Sequence, residues 1–296
     1  MIEKPIFVLP IDLGTIATGN ERAEAPAIHL NEHDSPGLVW RTNGASNAWA
    51  RGQKTAAETI SFAAVLDANA LPGTKIRLRL GTSQAQVDGS APYDSGAVDF
   101  IWPAVTRENG LYHTHLRFDA IEATWWRIDI TGHTGDFEAM SLILGKEVQT
   151  SRFYDRGFEE SIDDLGSIDF ARWGVAMETD GFGLRTKNFK LSWVSEAEFA
   201  ANFRKIMMQG KRGPVFLLFN PEETAQRQEE YFLGRFSQPP FAQNSRKPGT
   251  YAMEFSMLSM IPASVTTAIV VPSDGGDMDF SDADMSGLLT LILEDV

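Results

Sequence analysis

The sequence predicts a mainly β protein in which a β-sandwich is followed by an α+β unit with one helix. Short apolar runs separated by Gly- and Asn-containing loops fill residues 31–145, which is typical of a sandwich. Only one segment, about residues 195–210, repeats its apolar residues with a helical period. The chain has 296 residues, 43% of them hydrophobic and 22% charged, and is long enough for roughly two hydrophobic cores.

Residues 1–30 predict an N-terminal arm. The run "IFVLPIDLG" is apolar but is broken by proline and glycine. These residues disfavour a helix and favour an extended arm or an edge strand.

Three runs within residues 31–145 predict a sheet with a charged outer face. In "KIRLRLG", "HTHLRFD" and "WWRIDITG", apolar and polar side chains alternate, as in strands that are buried on one side only. The alternation predicts that Trp126 is buried and that Trp125 lies on the charged face. The runs "ISFAAVL" and "MSLILG" are apolar on both faces and predict more central strands.

After Gly145 the regular alternation of short apolar runs and loops ends. Residues 146–169 are polar and predict a linker, and "NFKLSWV" predicts a strand. Ser195 and Glu198 fit a helical capping box, in which each side chain bonds to the other residue's backbone N–H. Gly210 fits the end of that helix. The runs "VFLLFNP", "YFLGRF" and "TYAMEFSML" then predict three strands within residues 170–262.

Composition excludes several classes of site. The net charge of −14 disfavours a nucleic-acid surface, which needs local Lys and Arg. Zero cysteines exclude disulfides and thiolate metal sites. No apolar stretch reaches the length of a signal peptide or a membrane span, so we expect a protein that is made in the cytoplasm and does not insert into a membrane.

The C-terminal tail, residues 263–296, is acidic. Residues 266–296 contain seven acids and no base, which is typical of a solvating segment. Its run "DMDFSDAD" resembles alternating calcium ligands, but Asp282 occupies the position where an EF-hand needs glycine, and Leu288 the position of the last carboxylate. We therefore expect no metal site.

No catalytic constellation is apparent. The nucleophile elbow, the Walker A loop and the dinucleotide-binding fingerprint are all absent from the sequence. His113 and His115 share a strand face without a third ligand at a recognisable spacing, and they predict polar surface. We expect no catalytic residues, no cofactor and no enzymatic activity, although a glycoside hydrolase that uses an acid such as Asp94 stays open as a less favoured alternative.

Residues 31–145 resemble the galactose-binding-like (discoidin-type) jelly roll of many carbohydrate-binding modules. The motifs are "NGASNAWARG", "GTS" with "YDSG", and "WWRIDITG" followed by "EAMSLILGK". Because that family usually binds ligands with loops at one end of the sandwich, the resemblance implies a carbohydrate site there. The candidate ligand-binding residues are Asn43, Asn47, Trp49, Tyr93, Asp94 and His133.

Residues 170–262 resemble the ring-forming domain of distal tail and related minor tail proteins of long-tailed bacteriophages. The shared order is a strand ending in "LSWV", a capped helix ending at glycine, and the strands "VFLLFNP", "YFLGRF" and "YAMEFSMLSM". The resemblance implies a homo-oligomeric ring, as a hexamer, at the end of the tail tube, in contact with the tube, hub and tail fibre. The candidate interface residues are Trp125, Arg127, Trp193, Phe199 and Phe203.

The sequence thus favours a structural component of a phage tail tip or baseplate, assembled in the host cytoplasm and located in the virion. Its sandwich is expected to bind host-surface carbohydrate or other baseplate proteins. The alternative is a stand-alone lectin or carbohydrate-binding module protein.

Overall fold

A computed structural model of the chain describes residues 3–35, 37–179, 181, 183–244, 247–262 and 266–269. The positions of the calcium-like run, including Asp282 and Leu288, lie outside the described residues. The strands are β1 (Ile6–Val8), β2 (Thr15–Thr18), β3 (Trp40–Arg41), β4 (Trp49–Ala68), β5 (Lys75–Gly81), β6 (Tyr93–Asp94), β7 (Val98–Asp99), β8 (Val105–Arg107), β9 (Tyr112–Thr131), β10 (Glu138–Gly145), β11 (Glu147–Gln149), β12 (Glu159–Asp164), β13 (Ser167–Phe170), β14 (Ala176–Thr179), β15 (Gly183–Ser195), β16 (Val215–Leu218), β17 (Tyr231–Asn244), β18 (Thr250–Pro262) and β19 (Thr266–Ile269). The helical segments are α1 (Gln84–Asp88), α2 (Glu196–Glu198) and α3 (Arg204–Gln209), with a π-helical turn at Phe199–Phe203 and 3-10 turns at Ala27–Asn31 and Ala225–Glu229.

The first sheet forms a sandwich from two long, bent strands. Its order is β3-β10-β4-β9-β5-β6, with β2 on β4 and β7 on β5. The pairing of β4 with β9 shifts register at three places, and such bulges let a strand pass from one layer to the other. The first core then lies between the two halves: Trp126 and Ile128 come from one, and Ala63 and Leu142 from the other. The prediction of a mainly β sandwich is confirmed.

The central strands of the second sheet are covered on both faces. Its order is β11-β1-β16-β17-β18-β15-β12. One face packs Ile6 and Phe216 against Phe62 of the first sheet, and the opposite face packs against Phe203 of the helical segment. The central position of the runs "ISFAAVL" in β4 and "MSLILG" in β10 is confirmed, and both runs are apolar on two faces because both faces are buried there.

The N-terminal arm is part of the second sheet. β1 lies between β11 and β16, with Ile6 opposite both Gln149 and Leu218. Further along the arm, β2 pairs with β4 of the first sheet. The expected linker, residues 146–169, holds β11, β12 and part of β13.

The helix near residues 195–210 is confirmed. The Ser195 Oγ accepts from the Glu198 N–H at 3.2 Å, and Gly210 ends the helix at φ 57°. The reciprocal half of the capping box is wrong. The Glu198 carboxylate instead accepts from the N–H and Oγ of Ser151, at 2.9 and 2.6 Å, and so ties the helix start to the segment after β11.

The charged outer face predicted for "HTHLRFD" is wrong at its start. His113 is 1% exposed, and its N–H donates to Gln228 Oε1 at 2.8 Å. The His115 Nδ1 lies 2.6 Å from the Tyr231 hydroxyl. The second sheet covers this face, so the two histidines lie at a sheet-to-sheet contact. In the described part of the chain, no helix is long and apolar enough to cross a membrane.

Candidate functional site

An open groove lies where β9 leaves its register with β4. Arg117 pairs with Phe62 and Ile121 pairs with Ile60, so three residues of β9 stand opposite a single residue of β4. These residues stand clear of the regular ladder and form one wall of a groove of 1010 Å³. The groove is lined by Ser61, Pro92, Tyr93, Arg117, Phe118, Asp119, Ala120, Ile121, Glu147 and Gln149.

An aromatic pair forms the apolar part of this groove. The rings of Tyr93 and Phe118 are stacked, with centroids 4.1 Å apart and planes inclined by 26°. Tyr93 is half-buried, and desolvation raises the pKa of its hydroxyl. The hydroxyl therefore stays protonated and can both donate and accept a hydrogen bond at neutral pH.

Charged side chains form the polar part of the groove. The Arg117 guanidinium donates to the Glu147 carboxylate at 2.9 and 2.7 Å, and to Glu3 Oε2 at 3.1 Å. The hydrogen bond to Glu147 raises the pKa of Arg117. Asp119 is exposed and has no ion pair among the residues that the structure describes. The groove thus offers aromatic surface beside fixed donors and free acceptors, a combination suited to a ligand with an apolar ring and several hydroxyl groups.

Asp94 is adjacent to Tyr93 in sequence, but its carboxylate is bonded to Arg77 and does not line the groove. Its carboxylate accepts from Arg77 Nε at 2.8 Å and also from Arg77 Nη2. The hydrogen bonds from Arg77 lower the pKa of Asp94 to about 2. A glycosidase general acid needs a raised pKa so that it holds a proton to donate, and Asp94 is therefore unsuited to that one of the two carboxylate roles.

The other candidate ligand residues lie away from the groove. The side chains of Asn43 and Asn47 are exposed on the loop before β4, and Trp49 begins that strand. Trp49 is opposite Asp129 of β9, which is opposite Arg77 of β5. Three strand spacings of about 4.8 Å therefore separate Trp49 from β6, the strand of Tyr93. The structure does not bring these residues together in one site.

The His133 side chain is buried beneath the loops at the end of the sandwich and is not exposed on their surface. It is 8% exposed, with its Nδ1 3.1 Å from Thr74 Oγ1 and its Nε2 3.2 Å from the Asp136 carbonyl. Its ring stands edge-on to Phe137. These contacts satisfy both ring nitrogens and leave neither free for a ligand.

Two of the candidate interface residues belong to a stack of aromatic and guanidinium groups. Trp125 is half-buried, 5.8 Å from the Arg51 guanidinium, and Arg127 lies 4.5 Å from the centre of the Trp49 ring. Arg127 also donates to Asp129 at 2.7 Å and to Asp88 at 2.6 Å. The charged face of the sheet is thus internally paired.

The remaining interface candidates differ in exposure. Trp193 is 41% exposed and has φ 67°, at the point where β15 bulges away from β18. Phe199 and Phe203 are 6% and 0% exposed and pack in the core of their own chain. Neither phenylalanine ring is available to a second copy, because the helical stripe that singled them out is the stripe that the sheet buries.

Alternation alone missed part of the groove. It placed Phe118 on the core face and Arg117 and Asp119 on the outer face of one regular strand. One signal was present in the sequence: the face that holds Trp126 would carry Glu122 four residues earlier, a poor core residue. The structure shows the break just before Glu122: Phe118 and Ile121 both pack against the core, and Glu122 is exposed.

Neither a known protein family nor a curated protein matches this sequence. Solved structures that are similar to part of the chain include the lectin domain of lectinolysin complexed with Lewis B antigen, with 12% identity, 46% of this chain and 94% of that chain covered, and a TM-score of 0.35. A fucose binding module of Streptococcus pneumoniae has 8% identity, coverage of 47% and 95%, and a TM-score of 0.35. Chitosan-binding module 1 from a chitosanase/glucanase of Paenibacillus sp. IK-5 has 10% identity, coverage of 47% and 98%, and a TM-score of 0.32. These similar structures are carbohydrate-binding modules, and at TM-scores below 0.5 their ligands say nothing about this chain.

Proposed function

We propose that the protein binds carbohydrate through the groove beside Tyr93 and Phe118. The observation that carries the proposal is the stacked aromatic pair, set among the Arg117 guanidinium and the Asp119 carboxylate. An aromatic face packs against the apolar face of a sugar ring, while charged and polar groups bond its hydroxyls. The function is binding rather than turnover, since the groove pairs one carboxylate, Glu147, with an arginine and leaves only Asp119 unpaired among its described acids.

Glycan binding by the full-length chain tests this proposal. A glycan array identifies the ligand, and titration calorimetry then compares variants. We expect Tyr93→Ala and Asp119→Ala to weaken binding by about tenfold or more, which corresponds to about 1.4 kcal/mol. The matched control is Asn43→Ala, an exposed polar change on the loop end, and it should bind as the parent does. Loss of binding in the control alone would move the site to the loop end, and a chain that binds no glycan would overturn the proposal.

A role as a structural component of a phage tail tip is the second candidate. The segment that carried the resemblance adopts the expected order, with β15, the helix, β16, β17 and β18 following one another between Gly183 and Pro262. This order supports the proposal without identifying a partner. Mass spectrometry and antibody labelling of purified virions test it, and we expect the label at the tail tip. A virion that lacks this chain would rule out the role.

A further inference from the structure

A two-stranded ribbon stands out from the second sheet with its apolar side chains exposed. β13 and β14 pair only with each other in the part of the chain that the structure describes, and every residue of both strands is exposed. Its exposed apolar side chains include Ile168, Phe170, Trp173, Val175 and Met177, between 56% and 85% exposed. An isolated pair of strands is marginally stable in water, and exposed apolar surface of this kind marks an interaction site.

The apolar residues are concentrated on one face and at the tip. Phe170 is opposite Ala176 and Ile168 is opposite Glu178, so these four side chains share a face. The turn that joins the strands is closed by hydrogen bonds between Ala171 and residues 174 and 175, and it carries Trp173 at 85% exposure. The ribbon therefore presents a shaped apolar surface with an aromatic tip.

The surroundings of the ribbon are acidic. Residues 159–179 contain six acids and one base, Arg172. Glu160 is paired with Arg185 and Lys187. The other acids, Glu159, Asp163, Asp164, Asp169 and Glu178, form no ion pair with any residue that the structure describes. A partner surface that is apolar and basic would complement them.

This chain carries such residues on the exposed side of its own helix and in the turn just after it. Met208 is 79% exposed and is surrounded in sequence by the exposed Arg204, Lys205, Lys211 and Arg212. Within the described residues none of these four bases has an ion pair. A thioether among cations suits an aromatic tip, since sulfur and cations both contact aromatic rings favourably.

We propose that the ribbon of one copy docks on the helix face of a second copy, with Phe170 and Trp173 against Met208 and the acids of the ribbon against Lys205 and Lys211. The ribbon and the helix face are different surfaces, so the contact is heterologous. Each chain carries one ribbon and one helix face. Such contacts continue from copy to copy until a ring closes or a filament forms. The contact is separate from the sugar groove, so a test of the contact does not depend on whether the groove binds carbohydrate.

Sedimentation velocity of the full-length chain and its variants tests the proposal. The parent should sediment above the monomer in a concentration-dependent way. Phe170→Ser with Trp173→Ser, and separately Lys205→Glu with Lys211→Glu, should each weaken association at least about tenfold. All four side chains are exposed, so circular dichroism should show unchanged folding. The matched controls are Leu71→Ser, in the loop between β4 and β5, and Lys146→Glu, between β10 and β11. Both side chains are exposed, and both variants should associate as the parent does.

Mixing the two double variants gives the decisive readout. Each retains the surface that the other lacks, so the mixture should form one heterodimer and nothing larger. A parent that stays monomeric at high concentration overturns the proposal and assigns the ribbon to another occupant. A lysine variant that associates normally, or a mixture without heterodimer, also overturns it, because the ribbon would then pair with itself or elsewhere.

Discussion

At the scale of the residue, the adjacent Trp125 and Trp126 show what alternation can establish. Trp126 is fully buried, its Nε1 donates to the Leu13 carbonyl at 2.9 Å, and a Cβ on Gly52 would approach that nitrogen to 2.3 Å. Trp125 is half-buried beside Arg51. The predicted burial of Trp126 is confirmed, because a strand puts neighbouring side chains on opposite faces whatever the tertiary structure.

Substituting the two tryptophans separates a core role from a surface role. We expect Trp126→Ala to lower the free energy of unfolding by about 3 to 5 kcal/mol, through lost burial and the cavity left behind. Trp126→Phe keeps most of the packing but leaves the Leu13 carbonyl unpaired, a cost of about 1 to 3 kcal/mol. Trp125→Ala should cost about 1 kcal/mol or less. Urea unfolding measures all three, and equal losses for Trp125→Ala and Trp126→Ala would contradict the assignment.

At the scale of the element, two buried histidines make stability depend on pH: His115 lies between β9 and the second sheet, and His33 lies against Ser141 of β10. Burial lowers the pKa of His115 to about 3, and burial also lowers the pKa of His33 to about 4. The pKa of histidine in the unfolded chain is about 6.5. Between that pH and the lowered values, the unfolded chain binds protons at these histidines and the folded chain does not. The free energy of unfolding therefore falls as the pH falls through this window.

Asp67 acts in the opposite direction, which allows a test. Burial raises the pKa of Asp67 from 3.8 to about 6, so between those values the folded chain binds a proton that the unfolded chain lacks, and acid stabilises this site. Removing the group with Asp67→Asn should make the loss of stability on acidification steeper between pH 6 and about pH 4. Asparagine tolerates the φ of 47° at this position. Urea unfolding across that range measures the slope, and an unchanged slope would show that Asp67 does not titrate there.

Element type and element partners were not equally predictable. The helix between Ser195 and Gly210 could be placed because its caps and its stripe are local. The buried runs at residues 60–66 of β4 and 140–145 of β10 could be placed because both their faces are apolar. The burial of His113 could not be predicted, since it depends on Gln228, which is 115 residues away. Tyr93 could be chosen as a candidate because it is an aromatic residue in a polar, loop-like stretch. The stacking of Phe118 on Tyr93 could not be predicted, because it depends on a register shift between strands that no local pattern specifies.

At the scale of the whole molecule, the boundary between the two sheets does not coincide with the change in sequence composition after Gly145. β1 lies within the second sheet although more than 200 residues separate Ile6 from Leu218, its partner. Phe7 is fully buried, with ring centres of Phe189, Phe203 and Phe255 at 6.0, 5.9 and 5.2 Å. A chain of residues 170–262 has neither this strand nor β11, and would expose the edge of β16 and a gap in the core.

We therefore expect residues 170–262 not to fold alone. Removing residues 1–9 from the full-length chain should also unfold the second sheet, because an unpaired buried strand edge and the loss of the buried Ile6, Phe7 and Val8 side chains act together. Phe7→Ala should cost about 3 to 5 kcal/mol, whereas Lys4→Ala, a change at an exposed hydrogen bond, should cost less than about 1 kcal/mol. Near-UV circular dichroism and cooperative thermal unfolding report the outcome. Cooperative unfolding of residues 170–262 on their own would contradict the expectation, since it would mean that the arm is an addition to that sheet and not one of its structural strands.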